Sequence, residues 1–223
     1  MTTSADLVAA AQAVETAQQL VDAACAAVRA HGGVDANQVV AYDVAHAAAA
    51  VATARATLEY GARGEVEARI AAAFVADVVA DLAGRIAGRE SRWGVEPGWV
   101  GPLSSFLEAQ RDPAVLAGLA ATEGPRHLGE DFELVRETFH RFAEEKVRPH
   151  AEQVHRHNAD IPEEVIEGLA EIGGFGLSVP EEYGGFASGG ESDYLGMVVA
   201  TEELSWGSLG VGGSLITRPE ILT

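Results

Sequence analysis

Apolar residues recur every three or four positions through residues 7–86, a spacing that places them on one face of an α-helix. The pattern is interrupted at Gly32-Gly33 and again at Gly61, where glycine suits a helix end. It predicts three long helices with apolar faces at Leu7, Val14, Val21 and Val28, at Val40, Val44, Ala47, Val51, Ala54 and Leu58, and at Val66, Ile70, Phe74, Val78, Leu82 and Ile86. Short connections favour antiparallel packing of such helices, and their many alanines allow close approach.

Helical spacing returns in the second half of the chain, which is richer in aromatic and charged residues. One predicted helix, which Pro149 ends or bends, has its apolar face at Phe132, Val135, Phe139, Phe142 and Val147. Another runs from Pro162 to Gly173, and a third runs through ESDYLGMVVATEELSW to a cap at Gly207. The stretch GFGLSVPEEYGGF (174–186) is then a loop between two helices. We expect an all-α fold of antiparallel helical bundles, with no β-domain in this chain.

Two irregular stretches divide the predicted helices. Residues 88–104 carry Gly, Pro and Ser without a period and form a predicted docking segment, which Trp93 and Trp99 anchor to a neighbouring surface. The stretch EGPRHLGED places a domain boundary near Gly124 to Gly129. The prediction is an alanine-rich helical bundle with its docking segment in residues 1–123 and a second helical domain in residues 128–223.

The charge balance restricts the partners and the compartment. The 223 residues include 34 acidic and 15 basic side chains, for a net charge of -19, which disfavours nucleic acid and anionic membranes as partners. The single cysteine, Cys25, allows no internal disulfide, which is typical of a reducing compartment. No secretory signal and no transmembrane span is predicted, so we expect a cytoplasmic protein.

Several patterns typical of catalytic or metal sites are incomplete. GGFGLSV has Val179 where a dinucleotide-binding loop requires its third glycine, and GVGGSL fails in the same way at Leu215. His150 and His157 lie near His155 and Glu152, but exposed polar residues explain this group better than a metal site does. Four further candidates have a simpler explanation. Glu163, Glu167 and Glu171 are better explained as a solvated helix face, and Cys25 as a small buried side chain. No catalytic and no metal-ligating residue is predicted.

The order of segments in the second half resembles a known enzyme family. FAEEKVRPHAEQ, IPEEVIEGLAEIGGFGLSVPEEYGGFA and YLGMVVATEELSWGSLGVGGSLI follow one another as in the N-terminal helical domain of the acyl-CoA dehydrogenases. The resemblance covers about residues 128–223, and GLSVPEEYGGF followed by EEL is its most specific element. Residues 1–95 resemble, less closely, the C-terminal helical domain of the same family, through VVAYDVAHAAAAVATARATLEY and EVEARIAAAFVADVVADLAGRIAGR.

The resemblance implies a flavoenzyme that uses FAD to oxidise the α,β bond of acyl-CoA thioesters. Its substrate-binding residues in this chain would be Tyr183 and Gly184, on the loop at the rim of the site, and Ser214, Leu215 and Ile216, in the segment beneath the acyl chain. From the residues alone, the loop could equally be a structural joint, and the small residues after Gly207 could simply let two helices touch. No Tyr-Glu-Gly-Thr segment of the family's catalytic type occurs, so no catalytic glutamate is carried over.

Three functions remain open from the sequence. The first is the N-terminal portion of an acyl-CoA dehydrogenase, which needs further domains to bind FAD and works as a homo-oligomer or with the remaining dehydrogenase domains. The second is a non-catalytic helical scaffold that docks on a full-length dehydrogenase, and the third is an unrelated helical binding module. In the first case we expect an uncovered apolar face formed by Trp206, Leu209, Val211, Leu215, Ile216 and Leu222.

Overall fold

The chain is all-α in the part that the structure describes. The computed structural model describes residues 6–217, with the side chain of Glu191 excepted, and within them the only β-type pairing is a single bridge between Pro180 and Ala187. The predicted fold class is therefore confirmed for these residues. None of the helices in this range combines the length and the apolar character that a membrane span requires. Two compact units divide the chain, Met1–Pro125 (unit 1) and Arg126–Thr223 (unit 2), and each has its own hydrophobic core.

Unit 1 is built around three long helices that pack pairwise. Its helices are α1 (Leu7–Ala30), α2 (Gly33–Ala36), α3 (Gln38–Gly61), α4 (Glu65–Ile86), α5 (Glu90–Trp93), α6 (Ser104–Gln110) and α7 (Pro113–Ala120), with a 3-10 turn at Gly101–Leu103. Asp6 begins α1 by accepting a hydrogen bond from the backbone N–H of Ala9 at 2.9 Å. Between α3 and α4 only three residues intervene, so the two packed helices run in opposite directions.

The core of unit 1 consists mainly of alanine and valine. Buried members include Ala10, Ala13, Val14, Ala17, Val21 and Ala24 of α1, Val44, Ala47, Val51 and Ala54 of α3, and Ala72, Val75, Val79 and Leu82 of α4. Helix α4 packs against α1, α3, α6 and α7 and is therefore buried on several sides. The buried residues of α4 therefore extend beyond the predicted single face, which is right at Val78, Leu82 and Ile86 and wrong at Ile70, which is exposed.

The irregular segment after α4 docks on unit 1 through its tryptophans. Trp93 is fully buried in the core, and Trp99 is partly buried against it, so the predicted anchoring is confirmed. Gly94 has a φ of 66°, and a side chain there would press on α1, because a Cβ would lie 3.3 Å from the Cβ of Ala27. The segment also contains a short helix, α5, which the sequence pattern did not predict.

Within residues 126–217, helices and two π-helical turns of unit 2 pack around a core of larger residues than that of unit 1. The helices are α8 (Glu130–Phe142), α9 (Arg148–His157), α10 (Glu163–Glu171) and α11 (Glu191–Ser208); π turns occupy Ala143–Val147 and Leu209–Gly213, and 3-10 turns occupy Gly174–Gly176 and Glu181–Tyr183. The core contains Phe139, Phe142, Ala143, Val147, Val165, Leu169, Ala200, Leu204, Val211, Leu215 and Ile216.

The helical path that begins with α8 does not end at Pro149, because the first π turn joins α8 to α9. Proline has no N–H to donate to the carbonyl four residues earlier, and its ring crowds that carbonyl. The π turn at Ala143–Val147, directly before the proline, changes the hydrogen-bonding register, and α9 then carries Pro149 in its first turn.

Gly207 does not cap α11, contrary to the sequence prediction. The helix passes through Gly207 and ends at Ser208. The missing side chain serves packing, since a Cβ on Gly207 would lie 3.0 Å from the Cβ of Ala143 and 3.2 Å from Cγ1 of Val147. Glycine is therefore the residue that lets α11 approach the first π turn.

The expected uncovered apolar face is wrong for three of its residues. Val211, Leu215 and Ile216 are buried in the core of unit 2, whereas Trp206 and Leu209 are exposed and Leu222 lies outside the described residues. The second π turn brings this segment back against α11, and Gly212 permits it, because a Cβ there would lie 2.7 Å from the carbonyl oxygen of Leu204.

Candidate functional site

The loop between α10 and α11 is closed by its own backbone hydrogen bonds. Phe186 N–H donates to the carbonyl of Gly176 at 2.9 Å, and Ala187 N–H donates to that of Val179 at 2.9 Å. Gly185 fits only because it lacks a side chain, since a Cβ there would collide with the carbonyl oxygen of Val179. The loop is thus a fixed element and not a flexible connection.

A cavity of about 430 Å³ lies between this loop and the first turns of α11. Leu177, Pro180, Ala187 and Met197 supply apolar walls, and Tyr194 and Asp193 stand on α11. The hydroxyl oxygen of Ser178 is buried in the wall and has no hydrogen-bond partner among residues 6–217.

Asp193 is held by the backbone before α11. It accepts hydrogen bonds from the N–H of Gly189 at 2.7 Å and of Gly190 at 3.2 Å, and Ser188 Oγ donates to it at 3.1 Å. Desolvation pushes the pKa of Asp193 upward, but the hydrogen bonds from Gly189, Ser188 and Gly190 outweigh it and leave the pKa below its ordinary value of 3.8. A charged carboxylate therefore fixes one wall of the cavity.

The five residues predicted to bind substrate fall into two groups. Tyr183 and Gly184 end a 3-10 turn of the loop, where the Tyr183 side chain is 75% exposed and Gly184 has a φ of 84°. Ser214, Leu215 and Ile216 follow the second π turn, at the other end of α11 in the chain. Leu215 and Ile216 are buried in the core, and Ser214 is half-buried with its Oγ donating to the carbonyl of Gly210 at 2.9 Å. Of this second group, Ser214 is therefore the residue that is partly exposed to solvent.

A charged cluster on α11 was not predicted from the sequence. Glu203 is 4% exposed; its Oε2 lies 2.7 Å from Nδ1 of His140, and its Oε1 lies 3.6 Å from Nη1 of Arg136. Trp206 packs against the His140 ring at a centroid distance of 4.5 Å. The sequence did contain one indication of this cluster, because Glu203 lies on the same helix face as the apolar residues Val199, Ala200 and Leu204, where a charged side chain needs a partner.

The other sequence candidates stay apart from these features. Glu163, Glu167 and Glu171 are exposed on α10, and Cys25 is half-buried on α1. His150 Nε2 lies 2.9 Å from Glu164 Oε1. Among residues 6–217 no group of three His, Cys, Asp or Glu side chains is arranged to hold a metal ion.

The cavity does not suit FAD by itself. FAD carries a pyrophosphate, whose negative charge calls for basic side chains or free N–H groups. Among the described residues that line the cavity, Asp193 contributes a carboxylate and there is no lysine, arginine or histidine. The N–H groups of Gly189 and Gly190 already donate to that carboxylate. The loop and α11 therefore offer an apolar cavity and not a dinucleotide site.

Comparison with known proteins identifies the second unit. The family model for the acyl-CoA dehydrogenase N-terminal domain matches residues 129–222. The chain is 44% identical over 138 residues to (2S)-methylsuccinyl-CoA dehydrogenase of Cereibacter sphaeroides, a match that covers 57% of this chain and 24% of that protein. It is 36% identical over 93 residues to 3-(aryl)acrylate reductase of Clostridium sporogenes, with 42% and 23% covered. With glutaryl-CoA dehydrogenase of Desulfococcus multivorans it shares 32% identity over 82 residues, with 37% and 21% covered.

The matches cover only part of each relative, and the first one extends beyond unit 2 of this chain. The chain spans about a quarter of the length of these relatives. The first match covers 57% of 223 residues, about 127 residues, which is more than unit 2 contains. Wherever it begins, it therefore includes residues 97–127, of which 97–125 lie in unit 1. Both the sequence resemblance and the all-helical unit 2 agree with the family match. Residues 129–222 therefore match the N-terminal domain of the acyl-CoA dehydrogenase family.

Proposed function

We propose that this chain is the N-terminal part of an FAD-dependent acyl-CoA dehydrogenase whose substrate is (2S)-methylsuccinyl-CoA or a similar short, branched acyl-CoA thioester. The observation that carries this substrate is the match to (2S)-methylsuccinyl-CoA dehydrogenase, which has the highest identity of the three and extends into residues 97–127. The other two matches cover 42% and 37% of the chain.

In this proposal unit 2 forms a helical wall of the substrate site. Ser214 faces the acyl group, and Tyr183 and Gly184 lie at the rim on the closed loop. Leu215 and Ile216 act from behind, since they are buried in the core and hold the segment that carries Ser214. FAD is bound by other parts of a longer protein, because the cavity beside α11 has no basic side chain for its pyrophosphate.

Unit 1 belongs to the same enzyme in this proposal. The relative's match passes from unit 2 into residues 97–127, which contain α6 and α7 of unit 1. Both helices pack against α4, so unit 1 is connected to the matched segment through its own core. An acyl-CoA substrate and a homo-oligomer, or the remaining dehydrogenase domains, are the proposed partners.

A segment exchange tests the proposal. Residues 97–217 of this chain replace the aligned segment of the Cereibacter sphaeroides (2S)-methylsuccinyl-CoA dehydrogenase, and reduction of an artificial electron acceptor is measured with (2S)-methylsuccinyl-CoA, butyryl-CoA and glutaryl-CoA. The proposal requires an active exchange protein that prefers (2S)-methylsuccinyl-CoA. A folded, flavin-containing exchange protein without activity would contradict it, and if the 223-residue chain then bound the unaltered dehydrogenase, it would act as a scaffold.

The exchange protein needs a control for its new junctions. A second exchange uses residues 129–217 alone and leaves the relative's own segment before it in place. Equal activity of the two exchange proteins would show that the relative's own segment serves turnover as well as residues 97–128 of this chain do. Higher activity of the longer exchange would support a contribution of unit 1 to the enzyme.

A further inference from the structure

The last turn of α11 carries an aromatic side chain that contacts two other helices. Trp206 is 49% exposed, yet the guanidinium carbon of Arg148 on α9 lies 4.7 Å from its ring centroid. The His140 ring on α8 lies 4.5 Å away, with 32° between the two ring planes. A cation over the face of a tryptophan is attracted by the charge distribution of the ring, and stacked rings add dispersion.

The two side chains that contact Trp206 are each paired with a carboxylate. His140 Nδ1 lies 2.7 Å from Oε2 of the buried Glu203, one turn before Trp206 on α11. Arg148 Nη1 lies 2.7 Å from Oε2 of Glu144, in the first π turn. His140 is thus anchored by a buried carboxylate, whereas the ion pair that orients Arg148 is about half exposed. Packing of the indole therefore costs less side-chain entropy in its partners, chiefly in His140, than packing against free side chains would.

The chain changes direction two residues after Trp206. Ser208 leaves the helical region, with φ -171° and ψ 122°, and its Oγ accepts a hydrogen bond from Val211 N–H at 3.2 Å. Within the second π turn, Ser214 N–H donates to the carbonyl of Leu209. The direction in which residues 209–217 leave α11 thus depends on where its last turn is held.

We propose that Trp206 is a positioning residue, whose contacts with His140 and Arg148 fix residues 209–217 and with them the side chain of Ser214. Its role toward a substrate rests on the proposed function, in which Ser214 faces the acyl group. Its role in holding the segment depends only on the contacts described above. The two roles are separable by experiment.

The first test measures amide hydrogen exchange by NMR in the full 223-residue chain. Trp206→Ala should raise the exchange rates of the Val211 and Ser214 amides about tenfold, because the stacking and cation–π contacts that oppose local opening are lost. Trp206→Phe keeps an aromatic face and should restore most of the protection. Val198→Ala, which shortens another exposed apolar side chain of α11, is the matched control and should leave both amides unchanged.

Two outcomes of this test would overturn the positioning role. One is exchange at Val211 and Ser214 that stays the same in Trp206→Ala. The other is a uniform rise across residues 126–217, including the Phe139 amide of α8, which would mean that Trp206 stabilises all of unit 2 equally. Amides of α4 in unit 1 provide the internal reference for both.

The second test uses the exchange protein that carries residues 97–217. Trp206→Ala should raise KM for the acyl-CoA substrate by a larger factor than it lowers kcat, and Trp206→Phe should reverse most of the change. Unchanged KM and kcat would overturn the substrate role of Trp206. If the exchange protein is inactive even with Trp206 intact, the proposed function fails, while the amide measurements still decide whether Trp206 holds the segment.

Discussion

Gly207 of α11 and Ala143 of the first π turn are in direct contact, and the contact leaves no room for a side chain on the glycine. A Cβ built on Gly207 would lie 3.0 Å from the Cβ of Ala143, closer than real Cβ contacts usually come. Helix α11 and the turn that precedes Pro149 therefore meet nearly backbone to backbone. The seam that they form lies beside the segment that carries Ser214.

Enlarging Gly207 should destabilise unit 2. Gly207→Val introduces branched carbons where Ala143 and Val147 already lie, and we expect it to cost about 1–3 kcal/mol of unfolding free energy. Gly210→Ala is the control, because a Cβ at Gly210 meets no atom within 4 Å. Urea unfolding followed by circular dichroism measures both. Equal unfolding midpoints for the two variants would show that the seam can open to admit a side chain.

Neutralising Glu203 should cost more stability than neutralising its neighbour Glu202. Glu203→Gln removes the charge that His140 and Arg136 contact in a buried position, and we expect a loss of about 1–3 kcal/mol. Glu202 is exposed and pairs with Arg126 at 2.7 Å, so Glu202→Gln should change stability by less than about 1 kcal/mol. The comparison uses thermal unfolding at neutral pH, and a larger loss from Glu202→Gln would contradict the cluster.

The turn before α11 should loosen in acid. The pKa of Asp193 is lowered in the folded chain, so its stabilising hydrogen bonds are fully present above its ordinary value of 3.8 and are lost as pH falls through the lower folded value. The amide resonances of Gly189 and Gly190 should stay fixed from pH 7 to about pH 4 and shift below it. Asp193→Asn should abolish this titration. Resonance shifts that begin well above pH 4 would show that the turn responds to the titration of a group other than Asp193.

The connection between the two units should be the first site of proteolysis. Residues 122–129 are non-helical, and Arg126 lies among exposed neighbours. Limited trypsin digestion should therefore cut after Arg126 and yield fragments 1–126 and 127–223, which mass spectrometry identifies. Arg126→Gln should slow this first cut. Initial cleavage within residues 41–85 would contradict the placement of the boundary.

The helices could be predicted from the sequence because their signals are local. Apolar spacing and glycine breaks lie within each segment, so α1, α3, α4, α8, α10 and α11 follow from them. The π turns did not follow, since AEEKV and LGVGG are compatible with ordinary helix, and their geometry depends on Pro149 and on packing across unit 2. A glycine near a helix end can either cap the helix or allow close packing, and the sequence does not distinguish the two. Gly207 allows close packing and does not cap α11.

The candidate site was predicted less well because its contacts are distant in sequence. His140 and Glu203 are 63 positions apart, and no local pattern pairs them. Leu215 and Ile216 were expected on an uncovered face, but the second π turn buries them in the core of their own unit. The loop at residues 174–186 was recognised from its glycines and proline, whereas the cavity beside it depends on how α11 approaches that loop.

The alanine-rich interior of unit 1 makes the two halves of the chain sensitive to opposite kinds of mutation. Buried alanines such as Ala13, Ala72 and Ala76 have only a methyl group to lose, so truncation there leaves a small void and costs mainly helix propensity, whereas any added methylene groups must push helices apart. In unit 2 the interior depends on Phe139, Phe142 and Leu169, where truncation leaves a void. Over evolutionary time unit 1 should therefore reject larger residues and unit 2 smaller ones.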